Sequence, residues 1–511
     1  MIRAWTGTQI RAAEAPLLAA GQGPDLMQRA AHGLANAVVR ELIRRRGKVY
    51  GSTVAVLAGS GNNGGDALYA AAALARRGAR TTAVLTSVRC HAEALAAFRH
   101  AGGRILPAGG DRDGLAREFA TADVLVDGIL GTGASGGLRG EARALVAALQ
   151  KQLDRAGTAG GGPLVVACDL PSGVDADTGQ LHEPVLRADL TVTFGGAKLG
   201  LLADPGAGAG GRVRTVDIGL GPWLDGPALW QLEPEDVPAL WPVPERAGHK
   251  YTRGVLGIAA GSASYHGAAL LAAQAAVATG VGMVRYLGPS AICSQLNLLV
   301  PEVVCGTGTV GQNRSQAWLV GPGATGDPEQ AQRALDAFGT GLPVVADAGA
   351  LDLLPDGLGP HVVLTPHAGE LVRILGAQGV QAAREDIEAS PAEYAQLAAG
   401  LTGATVLLKG AATVVSSPNG TLFSQDNATA WMATAGSGDT LAGILGALAA
   451  TVRPEALDRA GIAGPDHFAA VAALAALVHG LAGSTAAAGG PVSAGAIGRS
   501  VPAVVRALLA G

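Results

Sequence analysis

Residues 433–444 read Ala433-Thr434-Ala435-Gly436-Ser437-Gly438-Asp439-Thr440-Leu441-Ala442-Gly443-Ile444. A glycine-rich turn, Gly436-Ser437-Gly438, runs into an apolar segment whose spacing predicts a helix starting near Asp439 and Thr440. The first N–H groups of a helix have no intrahelical acceptor and sit at its positive end, so the turn offers a seat for a phosphate. Asp439 stands out there, because its charge repels an anion. It fits if the carboxylate takes a proton from a hydroxyl while a phosphoryl group arrives. The bland alternative is an ordinary helix start with an aspartate cap. The rest of the chain decides between them.

Working outward, residues 255–259, 282–287, 318–320, 344–346, 362–364 and 405–408 are short apolar runs alternating with helical patterns such as 267–279. That alternation predicts a parallel sheet covered by helices. In such sheets ligands bind beyond the carboxyl ends of the strands, and polar groups gather there. Thr365-Pro366-His367-Ala368-Gly369-Glu370 follows one run and Lys409-Gly410-Ala411-Ala412-Thr413 another. Lys409 and the backbone N–H groups after it suit nucleotide phosphates. Glu370 suits the neighbourhood of a hydrated Mg²⁺, which takes few protein ligands. His367 suits orienting a substrate, against the plainer reading of a hydrogen-bonded surface histidine.

The first half repeats the pattern. Asp25 is expected to cap a helix over 26–45, and apolar strands are expected at 53–58, 81–86, 124–126, 164–167, 190–193 and 213–216. Three polar loops leave these strands at one edge: Asn62-Asn63-Gly64-Gly65-Asp66 before a helix over 67–77, then 127–133, then Cys168-Asp169-Leu170-Pro171-Ser172-Gly173. Asn63, Asp127 and Ser172 form a set of mostly neutral oxygens that suits K⁺ better than Mg²⁺. Each loop alone reads as a turn; three on one edge read as a site. Prolines at 227, 234, 238, 242 and 244 mark a connector, so the domains are set at 1–224 and 225–511.

Bulk properties narrow the class. The 511 residues exceed a single ordinary core. Lys and Arg total 37 against 41 Asp and Glu, a net charge of -4 with no basic block for nucleic acid. Cys90, Cys168, Cys293 and Cys305 show no Cys-x-x-Cys spacing, which fits a reducing compartment. The apolar stretches 268–282 and 469–488 are Ala-rich and broken by Gln274, His479 and Gly480, so they are expected to be buried helices rather than membrane spans. A soluble, cytoplasmic protein forming a homo-oligomer is expected, with neither nucleic-acid nor membrane partners.

Through Asn62–Asp66, Asp169–Gly173 and the run Thr193-Phe194-Gly195-Gly196-Ala197-Lys198-Leu199-Gly200, the first half resembles the NAD(P)H-hydrate epimerase family over roughly 5–220. The resemblance implies a Rossmann-like domain that interconverts the C6 epimers of hydrated nicotinamide cofactors. It implies substrate on Asn62, Asn63, Gly64, Gly65 and Asp66, on Gly131, Thr132, Gly133, Ala134, Ser135, Gly136 and Gly137, and on Asp169. It puts K⁺ on Asn63, Asp127 and Ser172, with Asp169 the candidate acid–base. Ala67 departs from the family, which usually continues with Gly; Ala is acceptable if the helix has already begun.

The second half resembles the ribokinase-like superfamily and, within it, ADP-dependent NAD(P)H-hydrate dehydratases, over roughly 230–509. Tyr265-His266-Gly267-Ala268-Ala269, Thr365–Glu370, Lys409-Gly410 and Gly436–Asp439 carry that match. It implies hydrated cofactor on Ala268, Gly323, His367 and Asp439, and adenine nucleotide on Lys409, Gly410, Ala411, Ala412, Thr413, Gly436, Ser437 and Gly438. ADP as co-substrate and Mg²⁺ come with it. Two departures stand out, Gly323-Ala324-Thr325 and Asp347-Ala348-Gly349-Ala350. The whole is expected to be α/β, two three-layer αβα domains that together repair hydrated NADH and NADPH, with AMP and phosphate as by-products. The competing reading is an ATP-dependent small-alcohol (vitamin-precursor) kinase fused to a nucleotide-binding regulatory module.

Overall fold

The computed structural model describes every residue except Ala108, Gly110, Ser135, residues 158–160, Thr307 and Gly511, and not the side chains at 156 and 157. It contains two compact units, Arg3–Ala228 and Leu229–Gly511, the second including Met1 and Ile2.

The Arg3–Ala228 unit is built on a parallel seven-stranded sheet. Its spatial order is Arg104–Pro107, Arg80–Leu85, Thr53–Ala58, Val124–Gly128, Leu164–Cys168, Leu190–Phe194, Arg212–Val216. The central strands are continuous apolar runs because both faces are covered. Alternate side chains of Thr53–Ala58 show this directly. Val54, Val56 and Ala58 join the helices Gly23–Arg46 and Asn62–Arg76 in one core, while Ala55 and Leu57 join Phe119, Leu145 and Leu149 in another. That is a helix–sheet–helix sandwich. A short parallel pairing, Ala4 with Ala197 and Trp5 with Lys198, fixes the segment after Phe194.

In the Leu229–Gly511 unit the order is Val303–Gly306, Met283–Leu287, Val255–Ala259, Ala317–Val320, Val344–Ala346, Val362–Leu364, Thr405–Leu408, Thr413–Ser416, Leu422–Gln425, Leu229–Gln231. Leu256, Ile258, Leu319, Val345, Val363 and Leu407 share a core with the helices His266–Thr279, Ser437–Ala449, His467–Ala487 and Ala494–Ala510. The helices Ala368–Ala377 and Pro391–Thr402 bury their apolar side chains outside that core. Small residues permit close helix contact: a Cβ on Gly443 would lie 2.2 Å from the carbonyl oxygen of Ala272. Among the described residues one helical stretch, Gly464–Ala487, is long and apolar enough to cross a membrane, and 78% of its 18-residue apolar window is buried.

Several local expectations are corrected. The first long helix begins at Gly23, not after Asp25, because Pro24 occupies the opening turn where its missing N–H costs nothing; Asp25 sits in that turn and Gln22 is the cap residue. Asn62–Asp66 is not a loop: it is the first turn of the helix Asn62–Arg76. A Cβ on Gly64 would lie 2.2 Å from the Gly59 carbonyl oxygen, so glycine lets the helix start this close to the strand. Ala67 is therefore an interior, buried helical residue. Likewise the helix expected near Asp439 begins at Ser437, with Gly436 as its cap at φ 87°. The connector carries the strand Leu229–Gln231, paired in parallel with Leu422–Gln425.

Candidate functional site

In the Arg3–Ala228 unit the strands end at Ala58, Gly128 and Cys168 on one edge, and the site lies just beyond them. Asp127 is fully buried and accepts hydrogen bonds from Ser172 Oγ (2.6 Å), Ser172 N (2.8 Å) and Ile129 N (3.3 Å). Burial raises its pKa, with those hydrogen bonds opposing. Ser172 Oγ also accepts from Leu130 N at 2.9 Å, and Asn63 Nδ2 donates to Leu130 O at 2.9 Å. Asn63 Oδ1 is buried without a partner. An orphan carbonyl oxygen, a hydroxyl and a carboxylate collected around Leu130 fit a weakly held monovalent cation.

Asp169 sits at φ 68°, a strained conformation for a non-glycine residue, and its carboxylate is closely held. Oδ2 accepts from Thr132 N (3.1 Å) and Thr132 Oγ1 (2.5 Å); Oδ1 accepts from Lys198 Nζ (2.5 Å) and Thr193 Oγ1 (3.1 Å). Lys198 is completely buried and also donates to Thr193 Oγ1 and Phe194 O. Burial works to raise the Asp169 pKa, but the Lys198 ammonium and the hydrogen bonds outweigh it, and the group is held below the usual carboxylate range. Asp66 is the opposite case. It is buried, its Oδ1 has no partner, and burial reinforced by Asp169 and Glu14 pushes it well up. Two carboxylates with environments this different suit opposite roles in proton transfer.

Not every expected residue gathers here. Gly131 packs against the Asn63 side chain and Thr132 bonds Asp169, whereas Ala134 N closes a turn onto Gly131 O and Gly137 packs on His182. A Cβ on Gly133 would meet open space, and one on Gly136 would come only within reach of Arg139; Ser135 lies outside the described residues. Gly65 touches the His91 ring, and Asn62 and Asp66 line a cavity of about 530 Å³ beside Phe194 and Ile218. In the sequence Lys198 appears only as part of the Thr193–Gly200 run, with no role of its own; the signal is a lysine in an otherwise apolar, glycine-rich run at a strand end.

In the Leu229–Gly511 unit, strands ending at Val320, Ala346, Leu364 and Leu408 deliver Gly323, Asp347, His367 and Lys409 to one edge. Asp347 is buried; its Oδ1 accepts from Lys409 Nζ and from Thr365 Oγ1, both at 2.8 Å. Lys409 Nζ also lies 3.7 Å from Glu370 Oε2. A Cβ on Gly438 would sit 3.5 Å from Lys409 Nζ, so the lysine stands at the mouth of the helix Ser437–Ala449. Asp439 occupies its first turn, its pKa raised to about 6 by burial and the charge of Asp347, partly offset by Lys409. Ser437 Oγ lies 3.4 Å from Nε2 of the buried His479, whose pKa burial pushes down to about 4.

His367 caps the helix Ala368–Ala377: its Nδ1 accepts from Glu370 N at 3.3 Å, and Glu370 Oε2 accepts from His367 N at 2.9 Å. The ring remains exposed beside the site. Gly323, at φ 62°, and Ala268 are in contact, since a Cβ on Gly323 would fall 2.7 Å from that of Ala268. Gly410, Ala411 and Ala412 turn between two antiparallel strands, and Thr413 opens the second of them. In the sequence Asp347 follows the run Val344–Ala346 at a strand end, but nothing there marks it as the partner of Lys409. Among the described residues no three His, Cys, Asp or Glu side chains form a metal cluster. Asp347 and Glu370, beside Lys409, are carboxylates at this edge that suit a hydrated Mg²⁺, which takes few protein ligands.

Comparison with known proteins follows the same two-part division. Residues 256–495 match the family model described as NAD(P)H-hydrate dehydratase, and residues 23–200 match the model described as YjeF-related protein N-terminus. The bifunctional NAD(P)H-hydrate repair enzyme Nnr of Mycobacterium tuberculosis is 44% identical over 457 residues, 87% of this chain and 88% of that protein. The NAD(P)H-hydrate epimerase of Clavibacter sepedonicus is 50% identical over 220 residues, 42% of this chain and 90% of that protein. Among solved structures, an ADP/ATP-dependent NAD(P)H-hydrate dehydratase from Bacillus subtilis, co-crystallized with ATP/Mg²⁺, is 26% identical with a TM-score of 0.46, covering 54% of this chain and 97% of that one. These relatives do not favour the small-alcohol kinase reading. Sequence similarity across both halves places the chain in the family of bifunctional NAD(P)H-hydrate repair enzymes.

Proposed function

We propose that the Leu229–Gly511 unit dehydrates the S form of hydrated NADH and NADPH at the expense of ADP, and that the Arg3–Ala228 unit interconverts the R and S forms at C6. The observation that carries the first part is Asp439, a carboxylate raised to about 6 at a helix N-terminus with Lys409 beside it. A base with that pKa is ionised at neutral pH and still able to take a proton. Asp439 accepts the C6 hydroxyl proton as the nucleotide's terminal phosphoryl group transfers to that oxygen. The N–H groups of Gly438 and Asp439, in the first turn of the helix, face the charge that accumulates on the phosphoryl oxygens. Phosphate then leaves as the ring-nitrogen lone pair forms C6=N1, a proton is lost from C5 to solvent as the C5=C6 bond forms and the π pair returns to the nitrogen, and the dihydronicotinamide is restored with AMP as by-product.

Lys409, paired with Asp347 and Glu370, lies where a phosphate oxygen exchanges for one of those carboxylates. Ala268 and Gly323 present small surfaces suited to the hydrated ring, and exposed His367 suits its carboxamide end. Mg²⁺, when bound, supplies charge neutralisation on the phosphates. In the other unit Asn63, Asp127 and Ser172 are the residues that would hold K⁺, which when bound would supply a fixed positive charge. Asp169, the candidate acid–base, acts there in its ionised form as the proton acceptor, oriented by Lys198 and Thr132.

The test mixes purified protein with both epimers of hydrated NADPH, ADP, Mg²⁺ and K⁺, and follows the absorbance of reduced nicotinamide. Full recovery of both epimers, faster than spontaneous epimerisation allows, is expected. No recovery with either ADP or ATP overturns the dehydratase reading. Replacing Asp439 by Asn is expected to slow dehydration about 10²–10⁴-fold with the fold intact, the usual worth of a general base.

A further inference from the structure

We infer that Glu14, together with Asp66, delivers the proton that releases the C6 hydroxyl of the hydrated nicotinamide and takes a proton back when water re-adds. The inference rests on the epimerase reading above and names the groups it still lacks. Epimerisation by this route needs an acid to make the hydroxyl a leaving group, and Asp169 cannot serve: it is held ionised by a buried lysine and by hydrogen bonds that favour its charged form.

Glu14 is placed for the task by its helix. Gly7–Ala19 starts at the capping residue Thr6 and is pinned over the site by Arg11, whose Nη1 donates to Thr132 O at 2.6 Å. Thr132 is the residue that bonds Asp169. Glu14 lies three residues after Arg11, on the same helical face. It lines the roughly 530 Å³ cavity together with Asp66, Asn62 and Phe194. Among the described residues Glu14 makes no hydrogen bond or ion pair, and Asp66 Oδ1 is buried without a partner. An unpartnered buried oxygen on the wall of a cavity this size marks a place for a ligand atom. Burial pushes both carboxyls up, the direction that suits a proton donor.

The step balances without another reagent. The carboxyl gives its proton to the C6 hydroxyl oxygen, the C6–O bond breaks with its electron pair leaving in water, and the N1 lone pair forms a C6=N1 bond. Water adds to the opposite face of C6, that π pair returns to N1, and the surplus proton goes back to the carboxylate.

The test uses full-length protein carrying Glu14→Gln, Glu14→Asp or Asp66→Asn, with epimerisation followed by NMR in the absence of nucleotide. For Glu14→Gln we expect kcat for epimerisation to fall at least about tenfold with KM little changed, and Glu14→Asp to restore part of it. Dehydration of the S epimer with ADP should be unaffected. The wild-type rate should drop as pH rises and the acid is lost. In Glu14→Gln this limb should move to lower pH, because the Glu14 charge helps hold Asp66 up. Lys198 and Asp169 face Glu14 from other elements and Arg11 from its own, and these remain in place. In ¹⁸O-labelled water the product should gain label at the C6 hydroxyl. Wild-type epimerisation with Glu14→Gln equally fast, an unmoved pH limb, or an unlabelled hydroxyl overturns the inference alone. Wild-type protein that does not epimerise overturns the epimerase reading and the inference with it.

Discussion

Asp169 with Lys198, and Asp439 with Asp347 and Lys409, show one device used in two ways. Lys198 is wholly buried and donates to Asp169 Oδ1, Thr193 Oγ1 and Phe194 O. Removing it leaves a carboxylate out of water without its counter-charge. Replacing Lys198 by Met is therefore expected to destabilise the Arg3–Ala228 unit by about 3–5 kcal/mol, read by denaturant unfolding. Because the folded Asp169 pKa is below its ordinary value, its contribution is present above that value and lost as pH falls through the lowered one. Asp439 is tuned upward instead, so dehydration should fall as pH drops through about 6. Asp347 raises that value and Lys409 lowers it. Asp347→Asn should move the acid limb of the rate profile to lower pH, and an unmoved limb would show that another group sets it. Sequence alone marked both site aspartates, Asp169 because it directly follows a strand and Asp439 because it follows a Gly-Ser-Gly turn at a helix start. It did not mark Lys198 or Asp347 as partners, since each pairing joins residues far apart in the chain.

At the level of elements, the strands were legible and the helix starts were not. Continuous apolar runs such as Thr53–Ala58 and Val344–Ala346 can only be buried strands at that length, and they are. Asn62-Asn63-Gly64-Gly65 and Ser437-Gly438 read as loops because Asn, Ser and Gly are poor helix formers. Tertiary contact overrides that preference: the first turns must come close to the strand ends, and only glycine leaves room, as Gly64 against Gly59 shows. The antiparallel pair Thr413–Ser416 and Leu422–Gln425 escaped notice because Thr-Val-Val-Ser and Leu-Phe-Ser-Gln are not continuous apolar runs. The same demand for closeness explains Gly443, which lets the helix Ser437–Ala449 lie against Ala272 on the helix His266–Thr279. Gly443→Ala forces these helices apart and should cost about 1–3 kcal/mol by thermal unfolding. Because Asp439 is on the same helix, kcat for dehydration should fall alongside stability.

For the whole molecule, the pairing of two units on one chain has a chemical logic. Water adds to the nicotinamide ring on either face, and a shaped pocket accepts one product. Dehydration alone strands the other epimer until it converts. Each unit carries its own sheet, core and site residues, with Asp169 in Arg3–Ala228 and Asp439 in Leu229–Gly511. Losses at the two sites should therefore be separable. With a mixture of epimers, Asp169→Asn protein is expected to return the S fraction quickly and the remainder only at the spontaneous rate, whereas Asp439→Asn protein returns almost nothing yet equilibrates R with S. Mixing the two variant proteins should restore full recovery if hydrated cofactor passes between sites through solution, because each supplies the step the other lacks. A mixture that recovers both epimers more slowly than wild type, at matched concentrations of each intact site and with substrate well below KM, would show that the chain hands its intermediate from one unit to the other. Equal rates would show that fusion sets only the ratio of the two activities.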